Sequence, residues 1–464
     1  MTVPYWVQDA VFYQIFPDRF ANGDVSNDPP NINAWDAAPT PRGFQGGDLR
    51  GIIQKFDILL DLGINAIYLN PIFQAASTHR YDTVDYYQID PKLGDLPDFQ
   101  ALIQVAHRND VRIVLDGVFN HVGRGFFAFN DILESHEQSP YKDWFHIKKV
   151  PVDAYSPGEA KDYLGWWNHK SMPKLNTSNL AVRKYLLGVA RYWIEQGADG
   201  WRLDVPNEID DDAFWYDFRQ MVHSVNRDAY LLGEIWNVNP RWVNSSHFDG
   251  LMNYPLREAL LGLLTAKLPV VQFAERVEGL LKVYPRENTY AMYSQLGSHD
   301  TERIMTLCEG DVNKVKLAYA FMFAYPGTPS VYYGDEIGLP GGKDPGCRHT
   351  FPWDEGQWNQ ELRSWVQQLI SLRKRLPVLR RGDFQPLLVD DSRGCYAFTR
   401  RLGDKKVAAA FNAGPSRRNI HLQVSGPGWR DGRIVHDLLG RGEYIISGES
   451  LDLMLEPWSA MVIS

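Results

Sequence analysis

The chain has 464 residues, of which 44% are hydrophobic and 23% charged, and its 57 acidic and 48 basic side chains give a net charge of −9. This is the composition of a globular protein too long for one hydrophobic core, and the absence of a basic run argues against a nucleic-acid partner. Three cysteines without a CxxC pair argue against a disulfide framework or zinc site, and no stretch reads as a membrane span or a signal peptide, so the expectation is a cytoplasmic protein with no membrane partner.

The first strand is expected in "AVFYQIF" (10–16). Just after it, "NGDVSND" and "GGD" offer Asn22, Asp24, Asn27, Asp28, the Gly46 carbonyl and Asp48. This all-oxygen set suits Ca2+ without the spacing of an EF-hand; a solvated turn is the other reading. A helix near 50–62 leads to a strand in "NAIYLN" (65–70), and a helix near 96–108 to one in "VRIVLDGVF" (111–119).

Strands follow in "DGWRLDV" (199–205), "AYLLGEIW" (229–236), a weaker segment at 248–253, "YAMYSQLGSHD" (290–300) and "PSVYYGDEI" (329–337). Eight strands, each with room for a helix after it, form the pattern of a (β/α)8 TIM barrel. The runner-up, an open doubly wound sheet, lacks a GxGxxG segment after its first strand.

Asp204 and Glu234 are 30 residues apart, about one βα unit, whereas Asp116 and Asp204 are 88 apart. The surplus is too long for a loop. It marks an inserted small domain at 122–178 after the third strand, leaving 1–121 and 179–382 for the barrel. From 383 to 464, short strands with glycine turns predict a C-terminal antiparallel β-sandwich.

Side chains i and i+2 of a strand share a face, so Arg202 and Asp204 point the same way. Alone this could be a structural ion pair. Yet the C-terminal ends of barrel strands line one mouth, and there the sequence places Asp116 with His121 ("DGVFNH"), Arg202 with Asp204, Glu234 ("GEIW"), and His299 with Asp300 ("SHDTER"). Acids gathered at one rim indicate an active site. Without a serine or cysteine elbow or a phosphate-cradling loop, a carboxylate beside a carboxylic acid fits glycosidic bond cleavage.

The ordered set "DGVFNH", "MPKLN", "GWRLDVPNE", "GEIW" and "SHDTER" resembles the α-amylase superfamily, glycoside hydrolase family 13, from about residue 8 to the end. "MPKLN" (172–176) and "VPNE" (205–208) are similar to the neopullulanase, cyclomaltodextrinase and maltogenic amylase group. The resemblance implies Asp204 as nucleophile, Glu234 as general acid/base and Asp300 as the residue that grips the ring hydroxyls. Arg202 would keep Asp204 ionised, so that Asp204 must not have a raised pKa. Asp116, His121 and His299 would line the same glucose subsite, Tyr81 would stack on the sugar, and Glu208 would shape the acceptor side. Asp344 and Arg348 in "KDPGCR" resemble a pair that holds donor sugars; a plain loop is the other reading. Relatives with calcium at the 22–28 loop strengthen the Ca2+ expectation.

The resemblance thus implies a retaining enzyme acting on α-1,4 bonds of cyclomaltodextrins, maltooligosaccharides, starch or pullulan. Transglycosylation or α-1,6 activity is the alternative, and a non-catalytic carbohydrate-binding protein the remote one. The group usually carries an N-terminal dimer-forming domain, but here the first barrel strand begins near residue 10. The expectation is therefore a monomer, or a dimer built otherwise.

Overall fold

The computed structural model describes residues 3–424 and 429–464. Eight parallel strands form the centre: β1 (Phe12–Ile15), β2 (Ala66–Leu69), β3 (Arg112–Gly117), β4 (Gly200–Leu203), β5 (Tyr230–Gly233), β6 (Gly250–Leu251), β7 (Tyr293–Gln295) and β8 (Thr328–Tyr332). Their spatial order is β6-β5-β4-β3-β2-β1-β8-β7. A single parallel bridge, Met252 to Tyr293, and the Asn253 N–H donating to the Tyr293 carbonyl at 2.7 Å join the ends into a ring. The strands are almost wholly buried, as expected when helices cover the outside and side chains fill the inside.

The helices form for local reasons. Asp95 and Asp98 make a reciprocal capping box at the start of the helix Leu96–Arg108, which buries Phe99, Leu102, Ile103 and Ala106 along one stripe. Asn179 caps the helix Leu180–Glu195, whose Leu186, Val189, Ala190 and Trp193 face the barrel.

Between β2 and the next helix lies a hairpin, Phe73–Ala75 with Thr83–Ile89, whose connection carries Tyr81. Residues 122–178 hold one α-helix, Phe127–Ser135, short 3-10 turns and isolated bridges. One bridge, His121 to Lys174, ties "MPKLN" back to the end of β3.

The C-terminal region is a sandwich. One sheet runs β9 (Asp383–Asp390), β10 (Cys395–Leu402), β11 (Lys405–Asn412) and the last strand (Ser459–Ile463); a second pairs Arg418–Gln423 with Ser450–Leu455. Alternation decides the faces: Ala397, Ala408 and Ala410 pack on Ile420, Leu422 and Leu453 between the sheets. Tyr396, Phe398 and Phe411 turn the other way onto Phe321 of the barrel helix Val312–Ala324, with ring centroids 6.3, 5.7 and 5.1 Å apart. Among the described residues, no helix is long and apolar enough to cross a membrane.

Candidate active site

The parallel register delivers the acids. Asp116 lies opposite Arg202 across β3 and β4. One residue past β4, the Asp204 N–H donates to the Gly117 carbonyl at 3.1 Å; one residue past β5, the Glu234 N–H donates to the Leu203 carbonyl at 3.0 Å. Each ladder thus runs one step beyond its strand and sets a carboxylate at the rim.

Arg202, fully buried, is the hub. Its Nη1 donates to Asp116 Oδ1 at 2.8 Å and Asp204 Oδ1 at 2.9 Å, while Nη2 lies 2.9 Å from Glu234 Oε1. The shared strand face therefore becomes a guanidinium shared by three acids. Tyr81 lies parallel to His299, rings 5.4 Å apart, with its hydroxyl 2.8 Å from Asp116 Oδ2 and 2.6 Å from His299 Nε2. Asp300 sits between His299 Nε2 at 3.1 Å and Arg348 Nη2 at 3.5 Å, and Arg348 also pairs with Asp344 at 3.0 Å.

Burial sets the charges. Asp116, Asp204, Glu234 and Asp300 face the guanidinium groups of Arg202 and Arg348, so not every acid is compensated. Desolvation raises Asp116, raises Asp204 well above the ordinary carboxylate range and lifts Asp300 to about 7; Arg202 and Arg348 oppose this only in part. The expectation that Asp204 must not be raised therefore does not describe the empty cleft, because burial among like charges outweighs its one guanidinium. Burial also pushes His121 down to about 3 and His299 well below the imidazole range, so both are neutral donors and acceptors.

A cavity of about 570 Å³ opens over these groups, lined by Tyr81, His121, Asp204, Glu234, His299, Asp300, Asp344 and Arg348. Asp116 and Arg202 lie beneath its floor. Glu208 is not in its lining; it stands in a turn where its carbonyl accepts from Lys174 Nζ at 2.7 Å and its carboxylate lies 3.8 Å from the same amine.

The cavity also contains residues the sequence reading did not single out. Trp166 lies on His121 with centroids 5.1 Å apart, and Trp167 on Trp166 at 4.6 Å, making a three-ring stack from floor to mouth. Trp167 is 72% exposed. Trp236 stacks on Tyr254 at 3.8 Å and donates to Glu234 Oε1 at 3.3 Å. His79, Met172 and Val205 complete the wall. The tandem tryptophans six and five residues before "MPKLN" were the available signal.

At the 22–28 loop, Asp48 caps a helix through the Gly51 N–H at 2.6 Å and accepts from the Gly23 and Asp24 N–H groups. Asp24 Oδ1 accepts from the Ser26 N–H and hydroxyl, while Oδ2 lies 3.8 Å from Arg50 Nε. Asn22 Nδ2 reaches Asp28 at 2.9 Å and Asn27 Nδ2 reaches Asp48 at 3.2 Å, which leaves the Oδ1 atoms of Asn22 and Asn27 buried without partners. Gly46, with φ of +81°, packs so closely that a Cβ there would sit 2.3 Å from Asp28 Oδ1. Two orphaned amide oxygens beside a carboxylate fit a hard cation, although among the described residues no three His, Cys, Asp or Glu side chains converge on one point.

Comparisons with known proteins give the family. A family profile described as alpha amylase, catalytic domain, matches residues 14–382. Neopullulanase 2 of Thermoactinomyces vulgaris is 43% identical over 471 residues, covering all of this chain and 78% of that protein. A cyclomaltodextrinase of Geobacillus thermopakistaniensis is 43% identical over 98% of this chain and 76% of its own length. The solved cyclic alpha-maltosyl-(1→6)-maltose hydrolase of Arthrobacter globiformis superposes with a TM-score of 0.91, at 38% identity and full coverage of both chains.

Proposed function

Because the chain belongs to the alpha-amylase family and is a glycoside hydrolase of α-glucans, we propose that it cleaves α-1,4-glucosidic bonds of cyclomaltodextrins and maltooligosaccharides with retention, through a glucosyl ester on Asp204. The observation that carries this is the Arg202 guanidinium, which lies 2.9 Å from both Asp204 and Glu234. Two carboxyl groups on the two terminal nitrogens of one guanidinium are compatible with the separation of about 5–5.5 Å that a retaining pair needs.

Glu234 gives its proton to the glycosidic oxygen while Asp204 Oδ attacks the anomeric carbon. Glu234 then takes a proton from the incoming water as the ester opens. Arg202 favours the ionised form of Asp204 once sugar fills the cleft. Asp300, held by His299 and Arg348, accepts hydrogen bonds from ring hydroxyls; neutral His121 and His299 bind others; Tyr81 offers its ring face. Asp344 and Arg348 extend the donor side. Glu208, turned to Lys174, acts on acceptors only through that rim pair.

Asn22, Asn27, Asp28 and the Gly46 carbonyl would hold Ca2+, with Asp24 and Asp48 shaping the loop around it. A bound ion would contribute structurally, since the two buried amide oxygens of Asn22 and Asn27 would then have a partner.

The test is a product time course from β-cyclodextrin, soluble starch and pullulan, with Asp204→Asn as control. Maltose and glucose from cyclodextrin, with panose from pullulan, are expected, with the α-anomer released first by NMR. Release of the β-anomer would refute retention, and cyclodextrin left intact while starch is degraded would refute the substrate assignment. A named relative acts on a cyclic glucan with α-1,6 links, so isomaltose-type bonds belong in the same assay.

A further inference from the structure

Val205, the residue after Asp204, sits at φ +33° and ψ +52°. For a β-branched residue this left-handed conformation is an outlier, and Pro206 makes a folded-back geometry at 205 still less favourable. The turn is pinned from both sides: the Asp204 N–H donates to the Gly117 carbonyl at 3.1 Å, the Glu208 N–H to the Val205 carbonyl at 2.9 Å, and Lys174 Nζ to the Glu208 carbonyl at 2.7 Å. Strain that the surroundings hold in place at a reaction centre calls for a functional explanation.

The chain could relieve it by flipping the 204–205 peptide plane, which would return φ to negative values. That flip would also turn the Val205 N–H away and present the Asp204 carbonyl in its place. As it stands, the Val205 N–H donates to Glu234 Oε2 at 3.0 Å, while Glu234 Oε1 faces Arg202 Nη2 at 2.9 Å and Trp236 Nε1 at 3.3 Å.

We propose that Val205 is a positioning residue: its left-handed turn locks the peptide that follows the nucleophile with its N–H on Glu234, so that one amide sets the acid/base relative to Asp204. The inference rests on Glu234 being the general acid. An N–H on a carboxylate favours the charged form, so removal of this amide is read in the pH dependence of the reaction.

The test replaces Val205 by its α-hydroxy acid counterpart, which turns the 204–205 amide into an ester and removes the N–H while keeping the side chain. The basic limb of the kcat/KM profile on maltotriose is expected to move up by about one pH unit. Val205→Gly adopts the same φ freely and keeps the N–H, so its limb is expected to stay where the native one lies. An unmoved limb in the ester protein overturns the proposal. So does a limb in V205G that moves up from the native one by about one pH unit, a result read against the native enzyme and so available even if the ester protein does not fold.

α-Maltosyl fluoride separates this from the underlying reading, because fluoride leaves without a proton from a carboxylic acid. Glu234→Gln should still release fluoride in a stoichiometric first-turnover burst, the ester-forming step, while losing maltotriose; opening of the ester, which uses Glu234 as base, is expected to be slow. Absence of that burst would remove Glu234 as the acid and the inference with it, an outcome distinct from an unmoved limb in an enzyme whose E234Q variant still gives the burst.

Discussion

Arg202→Met is the most informative single change. The methionine fills much of the space but leaves Asp116, Asp204 and Glu234 without the cation that lies 2.8, 2.9 and 2.9 Å from them. Removing one partner of a buried ion pair costs about 3–5 kcal/mol. With an unfolding entropy of about 2.1 cal/mol/K per residue, a 464-residue chain melting as one unit has about 1 kcal/mol/K, so Tm should fall by about 3–5 °C near pH 8. The sign of the pH dependence follows from linkage. In the variant the buried acids have folded-state pKa values raised above their unfolded values, so their contribution is harmless below about pH 4 and is lost as pH rises. Scanning calorimetry from pH 4.5 to 8 should therefore show a deficit that grows with pH, together with a fall in kcat of about 10²–10³. A deficit of the same size at pH 4.5 and pH 8 would refute the view that uncompensated carboxylates cause it.

Asp300 is raised to about 7 by burial, so wild-type stability falls as pH climbs from the ordinary carboxylate range to neutrality; Asp300→Asn should melt higher than wild type at pH 8 and equally at pH 4, while losing activity on maltotriose. A D300N enzyme no more stable at pH 8 would contradict this. Trp167→Ala removes the exposed end of the ring stack; kcat/KM on β-cyclodextrin should drop about 2- to 10-fold with Tm unchanged, and an unaltered value would deny the ring a part in binding. Calcium should raise Tm after exhaustive chelation and fail to do so in Asn22→Ala with Asn27→Ala; isothermal titration without heat in the wild type would eliminate the cation.

The barrel was legible because its strands are short apolar runs at regular intervals. Seven of the eight segments contain their strand whole, "PSVYYGDEI" (329–337) starts one residue after β8 does, and the capped helix Leu96–Arg108 lies where periodicity places it. The hairpin after β2 escaped notice: its first arm is three residues long and its second alternates only loosely. β9 and β10 carry weak strand signals, because "DFQPLLVD" contains a proline and "CYAFTRRL" is apolar on both faces, one for the sandwich and one for the barrel. At the site, the i and i+2 rule put Arg202 and Asp204 together, but the extension of one guanidinium to Glu234 depends on register between strands. The ring stack of His121, Trp166 and Trp167 joins β3 to residues more than forty positions later, a contact that local pattern does not encode.

The ring of strands is unevenly sewn. Between β6, only two residues long, and β7 there is one bridge and one further backbone hydrogen bond, against three or more paired positions between β7 and β8. Local opening starts where backbone bonds are fewest, so the amide of Asn253, which donates to Tyr293 across this seam, should exchange with deuterium sooner than those of β3 or β4. That seam lies on the path around the ring from the strand carrying Glu234 to the one leading to Asp300. Breathing there would let Glu234 and Asp300 drift apart while the Asp204 side, anchored through β3, β4 and β5, stayed still.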